Sequence, residues 1–217
     1  QDHIDRGTLV REVAAKVGKP VALMADLQGP KIRVGKFDGG RATLEAGRPF
    51  VLDAQRSEPG DARAVGLDYK ELPRDVEPGA VLLLDDGKIV LDVTDVRGEE
   101  VHTVVRHGGV LSNNKGINRQ GGGLTAPALT SKDMEDIKTA ARIQADYLAV
   151  SFPKSGADMY MARELLRAAG GKAFLIAKIE RAEAVAEAAL LDIMRGSDCI
   201  MVARGDLAGD VGDASGP

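Results

Sequence analysis

The sequence predicts an α/β protein, a partial TIM-type (β/α) barrel into which a small all-β barrel domain is inserted. Apolar runs that begin near residues 147, 173 and 199 alternate with helical patterns and recur roughly every 26 residues, as in a (β/α) barrel. Residues 32–118 instead show short alternating strands separated by glycine-containing turns, which indicates an all-β domain. The barrel segment should therefore comprise residues 1–31 and 119–217, and the inserted domain residues 32–118.

A helix and a strand are predicted before the insertion. Residues 4–17 have the apolar spacing of a helix and are followed by a glycine, which favours helix termination. Residues 21–25 form an apolar run that predicts a buried strand, and Asp26 stands at its end. Residues 29–30 are Gly-Pro, which predicts a turn.

The inserted domain is predicted from its turns and its alternation. Glycine-containing turns at residues 38–40, 85–87 and 97–99 each predict a hairpin. Along residues 89–94 and 101–105 two sets of side chains alternate, and one set is more apolar than the other. One face of the sheet should therefore be buried and the other solvated.

The α/β pattern returns after the insertion. Thr130 and Asp133 have the spacing of a capping box, which predicts a helix start. Strands are predicted at residues 147–152, 174–177 and 199–203, and a helix at residues 181–194. With the strand before the insertion this makes four strands. A complete barrel takes on the order of 250 residues and this chain has only about 130 outside the insertion, so about half a barrel is expected.

Composition narrows the classes of function. The net charge is −4 and the charges are mixed along the chain, which argues against a nucleic-acid-binding surface. No apolar run approaches membrane length and the first residues lack the form of a signal peptide, so a cytoplasmic protein without a membrane partner is expected. The single cysteine, Cys199, lies in an apolar run and should be a packed thiol rather than part of a disulfide.

Polar side chains follow two consecutive predicted strands. Lys178 and Glu180 are two residues apart on a strand and should therefore point to the same side. Because a parallel crossover places strand ends side by side, Glu180 and Asp206 should meet beside Lys178. Two carboxylates can hold a magnesium ion, and a neighbouring lysine adds positive charge where a phosphoryl group or an enolate develops negative charge. The alternative is a structural Lys178–Glu180 ion pair, with Asp206 capping a turn.

The segments around these residues resemble the pyruvate kinase family. The two segments with the charged residues resemble its metal-site signatures, and three upstream segments resemble others of its motifs in the same order. These segments are residues 26–33, 127–133, 149–152, 177–180 and 200–207. The order of several separate motifs, spread over most of the chain, makes the resemblance specific.

The resemblance implies an activity and a set of roles. Pyruvate kinase moves the phosphoryl group of phosphoenolpyruvate to ADP and yields pyruvate and ATP. By resemblance, Glu180 and Asp206 are ligands of Mg²⁺ (or Mn²⁺), and Lys178 stabilises the transferring phosphoryl group and the enolate. The resemblance also implies a truncated chain, since the family has further strands and a C-terminal domain, and full-length relatives that form homo-oligomers.

The resemblance assigns further residues around the inserted domain, which in this family is a lid over the nucleotide. Arg33 matches an arginine of the lid hinge that contacts the active site. Asp86 and Lys115 match lid residues that face the nucleotide.

The residue at position 31 bears on the monovalent cation. Potassium-requiring members have a glutamate where this chain has Lys31. A tethered ammonium has the charge of a potassium ion, so we expect potassium independence, with Asp26 as a polar neighbour. The alternative is that Lys31 is a solvated surface lysine.

Two other functions remain open at this point. A carbon-carbon lyase of the related enolpyruvate barrels also holds a metal with Glu and Asp on consecutive strands, although the inserted domain argues against it. A non-catalytic remnant with open sheet edges is the other alternative.

Overall fold

The computed structural model describes residues 1–211, which form two compact units. The first unit comprises Gln1–Pro30 and Pro127–Ala203, and the second comprises Lys31–Ala126 together with the chain from Arg204 onward. The sequence-based domain boundaries, before residue 32 and after residue 118, stay predictions. Residues 212–217 of the predicted barrel segment lie outside the described residues.

The first unit opens with helix α1 (Asp2–Val17) and strand β1 (Met24–Asp26). The predicted helix is present, and it ends at Gly18 in a left-handed conformation with φ 66°. Its apolar stripe is largely exposed, however, since 46% of Val13 is accessible. The expectation of a buried strand over residues 21–25 is also wrong. Strand β1 starts later and Met24 is exposed, because β1 is an edge strand of its sheet.

The second unit is all-β around one apolar core. The elements are β2 (Arg41–Leu44), β3 (Pro49–Asp53), β4 (Ala64–Gly66), the short helix α2 (Leu72–Asp75), β5 (Val81–Leu84), β6 (Ile89–Arg97), β7 (Glu100–His107), β8 (Gly109–Ser112) and β9 (Ile117–Arg119). The six-stranded sheet has the order β4-β3-β7-β6-β5-β9, and strands β2 and β8 form a separate antiparallel pair. Large aliphatic and aromatic side chains, including Phe50 and Leu91, are fully buried in the core.

Two of the three predicted hairpins are present. Residues 85–87 lie in the turn between β5 and β6, and residues 98–99 form the turn between β6 and β7, with Arg97 as the last residue of β6. The hairpin predicted at residues 38–40 is wrong. These residues form a 3₁₀ turn whose two flanking segments do not pair with each other. Phe37, on one side, forms a β-bridge with Gly60, and β2, on the other side, pairs with β8.

The first unit contains a four-stranded parallel sheet formed by β1, β10 (Tyr147–Val150), β11 (Phe174–Ile179) and β12 (Cys199–Val202), in the order β1-β10-β11-β12. The register aligns Asp26 with Ala149, and Ile179 with Val202, so the carboxyl ends of the strands lie at one edge. The predicted fold class, a partial (β/α) barrel with an inserted all-β domain, is confirmed. The remaining helices are α3 (Ser131–Arg142), α4 (Gly156–Ala168), α5 (Glu187–Gly196) and α6 (Arg204–Val211), the last of which belongs to the second unit.

Details near the far edge of this sheet differ from the expectations. The helix predicted over residues 181–194 is divided into a 3₁₀ turn (Ala182–Val185) and α5, and Val185 is exposed. Cys199 is an exposed free thiol rather than a packed one, because β12 is the other edge strand. Within residues 1–211, no helix combines the length and apolar character needed to cross a bilayer.

Asp133 joins the start of α3 to the turn after β1. Its side chain accepts the Thr130 amide at 2.9 Å and the Thr130 hydroxyl at 2.6 Å, which confirms the predicted capping box. Its other oxygen accepts the Gly29 amide at 3.1 Å. The carboxylate is completely buried, so these donors depend on it for hydrogen bonding.

We expect Asp133→Ala to lower the free energy of unfolding by about 2–4 kcal/mol, since it removes a helix cap and leaves buried donors unsatisfied. Urea unfolding followed by circular dichroism measures the change. Asp136→Ala is the matched control on the same helix, because Asp136 forms an exposed pair with Lys132 and should change stability by about 0.5 kcal/mol or less. Equal losses in the two variants would contradict the anchoring role of Asp133.

Candidate active site

Lys178 lies at the centre of a polar cluster in the first unit. Its side chain is 15% exposed. Among the described residues, its ammonium Nζ has acceptors in Ser151 Oγ at 2.9 Å, Glu180 Oε1 at 3.1 Å and Asp26 Oδ1 at 3.2 Å. An ammonium has three N–H donors, so these acceptors match its hydrogen-bonding capacity.

The parallel sheet explains why these four residues meet. Lys178 is the second-to-last residue of β11 and Glu180 follows the strand, so their side chains share one face, as predicted. Asp26 ends β1, and Ser151 comes directly after β10. The register of the strands brings these ends together at the carboxyl edge of the sheet.

The charges around Lys178 keep it protonated. Burial acts to lower the pKa of Lys178, but the carboxylates of Glu180 and then Asp26 outweigh it, and the pKa is raised above its ordinary value of 10.5. The side chain is therefore a permanent cation near neutral pH.

Glu180 is held by the backbone of a neighbouring strand end. The side chain is 2% exposed, and Oε2 accepts the Phe152 amide at 2.9 Å. Phe152 has a positive φ of 56°, which is rare for a bulky residue. The Arg181 guanidinium lies over the Phe152 ring, 5.6 Å from its centre. The strand end at residues 151–152 is thus shaped to present an amide to this carboxylate.

Ser151 is a residue of this cluster to which sequence reasoning assigned no role. It is 2% exposed, and its hydroxyl donates to the Leu27 carbonyl at 2.7 Å while accepting from Lys178. The signal that could have found it is the one used for Glu180, a polar residue placed directly after an apolar strand.

The second unit contains a separate ion pair. Lys31 Nζ lies 3.0 Å from Asp206 Oδ1, and the two side chains are 26% and 19% exposed. Asn118 Nδ2 donates to the Asp206 carbonyl at 3.4 Å. A side chain at Gly116 would meet Lys31 Cε at 3.2 Å, so the glycine leaves room for the lysine. Lys31 is therefore half-buried and paired rather than freely solvated.

Two of the other candidates, Arg33 and Lys115, are held by contacts within the all-β segment Lys31–Ala126, which we call the β-domain. Arg33 donates its amide to Asp68 Oδ1 at 2.7 Å, and its guanidinium to the Asn114 carbonyl at 2.8 Å. Lys115 Nζ lies 2.7 Å from Asp85 Oδ1.

Asp85 and Asp86 occupy the turn between β5 and β6 with φ values of 51° and 58°. Asp86 is exposed and Asp85 is buried. Sequence reasoning singled out Asp86 but not Asp85, which is the partner of Lys115. The hydrogen bond from Lys115 lowers the pKa of Asp85 below its ordinary value of 3.8, against the opposing effect of burial.

The proposed metal ligands belong to different units. Glu180 is in the first unit and Asp206 in the second, and the prediction that they meet at one metal ion stays a prediction. The same holds for Asp26, which contacts Lys178 in the first unit, as a neighbour of Lys31 in the second. Within residues 1–211, no group of three or more His, Cys, Asp or Glu residues has metal-binding geometry. The donor type fits magnesium, because both candidate ligands are hard carboxylate oxygens.

Comparison with known proteins gives concordant matches. A family model described as the pyruvate kinase barrel domain matches residues 1–215. The chain is 56% identical over 214 residues to a pyruvate kinase of Haemophilus influenzae, and 56% identical over 215 residues to pyruvate kinase II of Salmonella typhimurium. It is 50% identical over 216 residues to a pyruvate kinase of Buchnera aphidicola. These alignments cover 98–99% of this chain but 45% of each relative, so the chain spans less than half of their length.

We expect Lys115→Met to raise the pKa of Asp85 toward 3.8, because it removes the main group that lowers this pKa. Since the folded-state pKa is depressed, the pair stabilises the β-domain above about pH 4, and this contribution disappears as the pH falls through the folded-state pKa. The carboxyl ¹³C shift of Asp85 against pH measures the change. Lys88→Met is the control, since Lys88 is 3.4 Å from Asp85 and 71% exposed. A pKa that moves as much in the control would refute the assignment to Lys115.

Proposed function

This chain belongs to the pyruvate kinase family, and from that membership we propose that the whole protein transfers the phosphoryl group of phosphoenolpyruvate to ADP, giving pyruvate and ATP. The observation that supports this most directly is the Lys178 cluster. A buried, permanently charged ammonium stands among Asp26, Ser151 and Glu180 at the carboxyl edge of a parallel sheet. Barrel enzymes have their active sites at this edge.

Lys178 is the proposed catalytic cation. Phosphoryl transfer passes through a loose transition state, in which catalysis depends on positioning and on positive charge. An ammonium held by three acceptors is oriented before the substrate arrives, so little reorganisation is needed when negative charge develops. Its first role is to stabilise the phosphoryl group in transfer. Its second role is to stabilise the enolate oxygen that remains before protonation to pyruvate.

Glu180 and Asp206 are the proposed ligands of Mg²⁺, for which Mn²⁺ could substitute. When bound, the ion would neutralise phosphate and enolate charge and orient the oxygen atoms of the substrate. The support is chemical, since both are carboxylates and each is already paired with an ammonium in its own unit. Glu180 is further oriented by the Phe152 amide, which keeps the carboxylate in place before a cation binds.

Three residues of the β-domain complete the proposal. Arg33 would contact the reacting groups, and Asp86 and Lys115 would contact the nucleotide. The support for Lys115 is its contact with Asp85, which restricts a flexible side chain. The support for Asp86 is its exposed place in a turn. The family membership favours this phosphotransferase over the enolpyruvate-type lyase. Assembly of the whole protein into a homo-oligomer stays a prediction.

We expect the whole protein to form pyruvate from phosphoenolpyruvate and ADP with magnesium, and Lys178→Met to lower kcat by about 10²-fold or more, since it removes a preorganised charge. A lactate dehydrogenase-coupled assay measures the rate, and removal of magnesium with a chelator should abolish it. Lys172→Met is the control, because Lys172 is an exposed lysine of the same unit. An unmutated protein without turnover would overturn the proposed function and leave the non-catalytic alternative.

We further propose that the protein does not require potassium, because Lys31 supplies the monovalent charge. The support is the Lys31–Asp206 contact at 3.0 Å, which places an ammonium directly on a proposed metal ligand. Both side chains are largely shielded from water, so screening by solvent is reduced. The alternative, a solvated surface lysine, is less consistent with this contact.

We expect Lys31→Glu to make activity depend on potassium. The variant places a carboxylate beside Asp206, and a bound monovalent cation would relieve the repulsion. The rate in potassium-free buffer should fall by about 10²-fold, and added potassium should restore part of it. Lys36→Glu, at an exposed lysine of the same unit, should behave like the unmutated protein. The proposal fails if the unmutated protein needs potassium, or if Lys31→Glu is as active as the control without it.

A further inference from the structure

We propose that Ser151 is a positioning residue that sets the direction of the Lys178 ammonium. This inference rests on the proposed function, because it concerns how Lys178 is prepared for phosphoryl transfer. Ser151 lies in residues 149–152, one of the segments that resemble pyruvate kinase motifs. That resemblance assigned no role to the serine.

The hydroxyl proton of Ser151 is already committed. It is donated to the Leu27 carbonyl at 2.7 Å, and a hydroxyl has one proton and two lone pairs. The oxygen is therefore left as an acceptor on the side where Lys178 Nζ lies, 2.9 Å away. Because Leu27 fixes the rotation of the hydroxyl, the lone pair that receives Lys178 has a defined direction.

The Ser151 side chain cannot easily move. It is 2% exposed, and a Cβ at Gly29 would lie 2.9 Å from its Cβ and 3.1 Å from its backbone oxygen. Gly29, with φ 64°, thus packs directly against the serine, and its amide is held by Asp133. The acceptor for Lys178 is consequently fastened to the turn after β1 as well as to its own strand.

The two carboxylates beside Lys178 cannot do this alone. Asp26 has a side chain that is 48% exposed, so its contact with the ammonium is open to solvent. Glu180 is buried, but as a proposed metal ligand it responds to the cation it binds. Ser151 supplies a neutral acceptor, which orients the ammonium without cancelling more of the positive charge that catalysis needs.

The residue after Ser151 supports a joint function of this strand end. Phe152 adopts a left-handed backbone, with φ 56°, and its amide donates to Glu180 Oε2 at 2.9 Å. A strained conformation at a site of this kind is retained where the surrounding structure needs it. Residues 151 and 152 therefore orient the cation and the carboxylate from one rigid point.

The test compares Ser151→Ala, which removes the acceptor, with Ser151→Thr, which keeps a hydroxyl, in the whole protein. We expect Ser151→Ala to lower kcat by about 10–100-fold, with the KM for phosphoenolpyruvate changed by about threefold or less, because the ammonium is misplaced rather than lost. Ser151→Thr should recover most of the rate. If Ser151→Ala does not fold, Ser151→Cys takes its place, since sulfur is a weak acceptor of similar shape.

Thr103→Val is the matched structural control. Thr103 is also 2% exposed and its hydroxyl also donates to a buried carbonyl at 2.7 Å, that of Phe50, in the core of the β-domain. Both variants lose such a hydrogen bond, so a general loss of stability should affect them alike. Equal losses of kcat in Ser151→Ala and Thr103→Val, or no loss in Ser151→Ala, would overturn the inference.

A second measurement does not depend on activity. In the ligand-free protein with labelled lysine, the two ε-methylene protons of Lys178 should have distinct NMR shifts while the ammonium is held, and should converge in Ser151→Ala but not in Ser151→Thr. Unchanged shifts in Ser151→Ala would overturn the inference even in an active enzyme. An inactive unmutated protein whose Lys178 shifts nevertheless converge in Ser151→Ala would contradict the proposed function while supporting the positioning by Ser151.

Discussion

The chemistry proposed for the first unit depends on one largely buried ammonium, that of Lys178, which is held by acceptors from three strand ends. Burial alone would lower the pKa of the Lys178 ammonium, but the carboxylates of Glu180 and Asp26 outweigh this effect and raise the pKa. The arrangement requires parallel strands in a fixed register, since β1, β10 and β11 each contribute one acceptor at the carboxyl end or directly after it. The sheet therefore brings these strand ends together at one edge.

The second unit follows a different principle. Its strands bury one apolar core, and the two ion pairs discussed above join a lysine outside the strands to a carboxylate that follows β5 or lies in α6. The ion pairs Lys31–Asp206 and Lys115–Asp85 each restrain a lysine beside a carboxylate. In both cases the ion pair restricts a flexible side chain, and for the proposed role of Lys115 toward the nucleotide this would lower the entropy cost of binding.

Sequence reasoning reached the fold class and the Lys178–Glu180 neighbourhood, because the periodicity of side chains along a strand determines which residues share a face. It did not predict that the two edge strands of the parallel sheet are exposed to solvent. Cys199 and the residues of β1 lie in apolar runs typical of central strands, yet both strands are edges, and edge position depends on tertiary pairing. It also gave Ser151 and Asp85 no role. Each directly follows an apolar strand, a position that the sequence shows. Their partners, Leu27 and Lys115, are distant in sequence and become known only from the folded structure.

The anchoring of the turn at residues 27–29 makes replacement of the β-domain by another module feasible. Ser151 holds the Leu27 carbonyl and Asp133 holds the Gly29 amide, so both sides of the turn are tied to the first unit itself. The frame that orients Lys178 is closed before the chain enters the β-domain. The position after Pro30 is thus a natural graft point, where a module of different length or specificity could replace the β-domain without altering the anchors of the lysine.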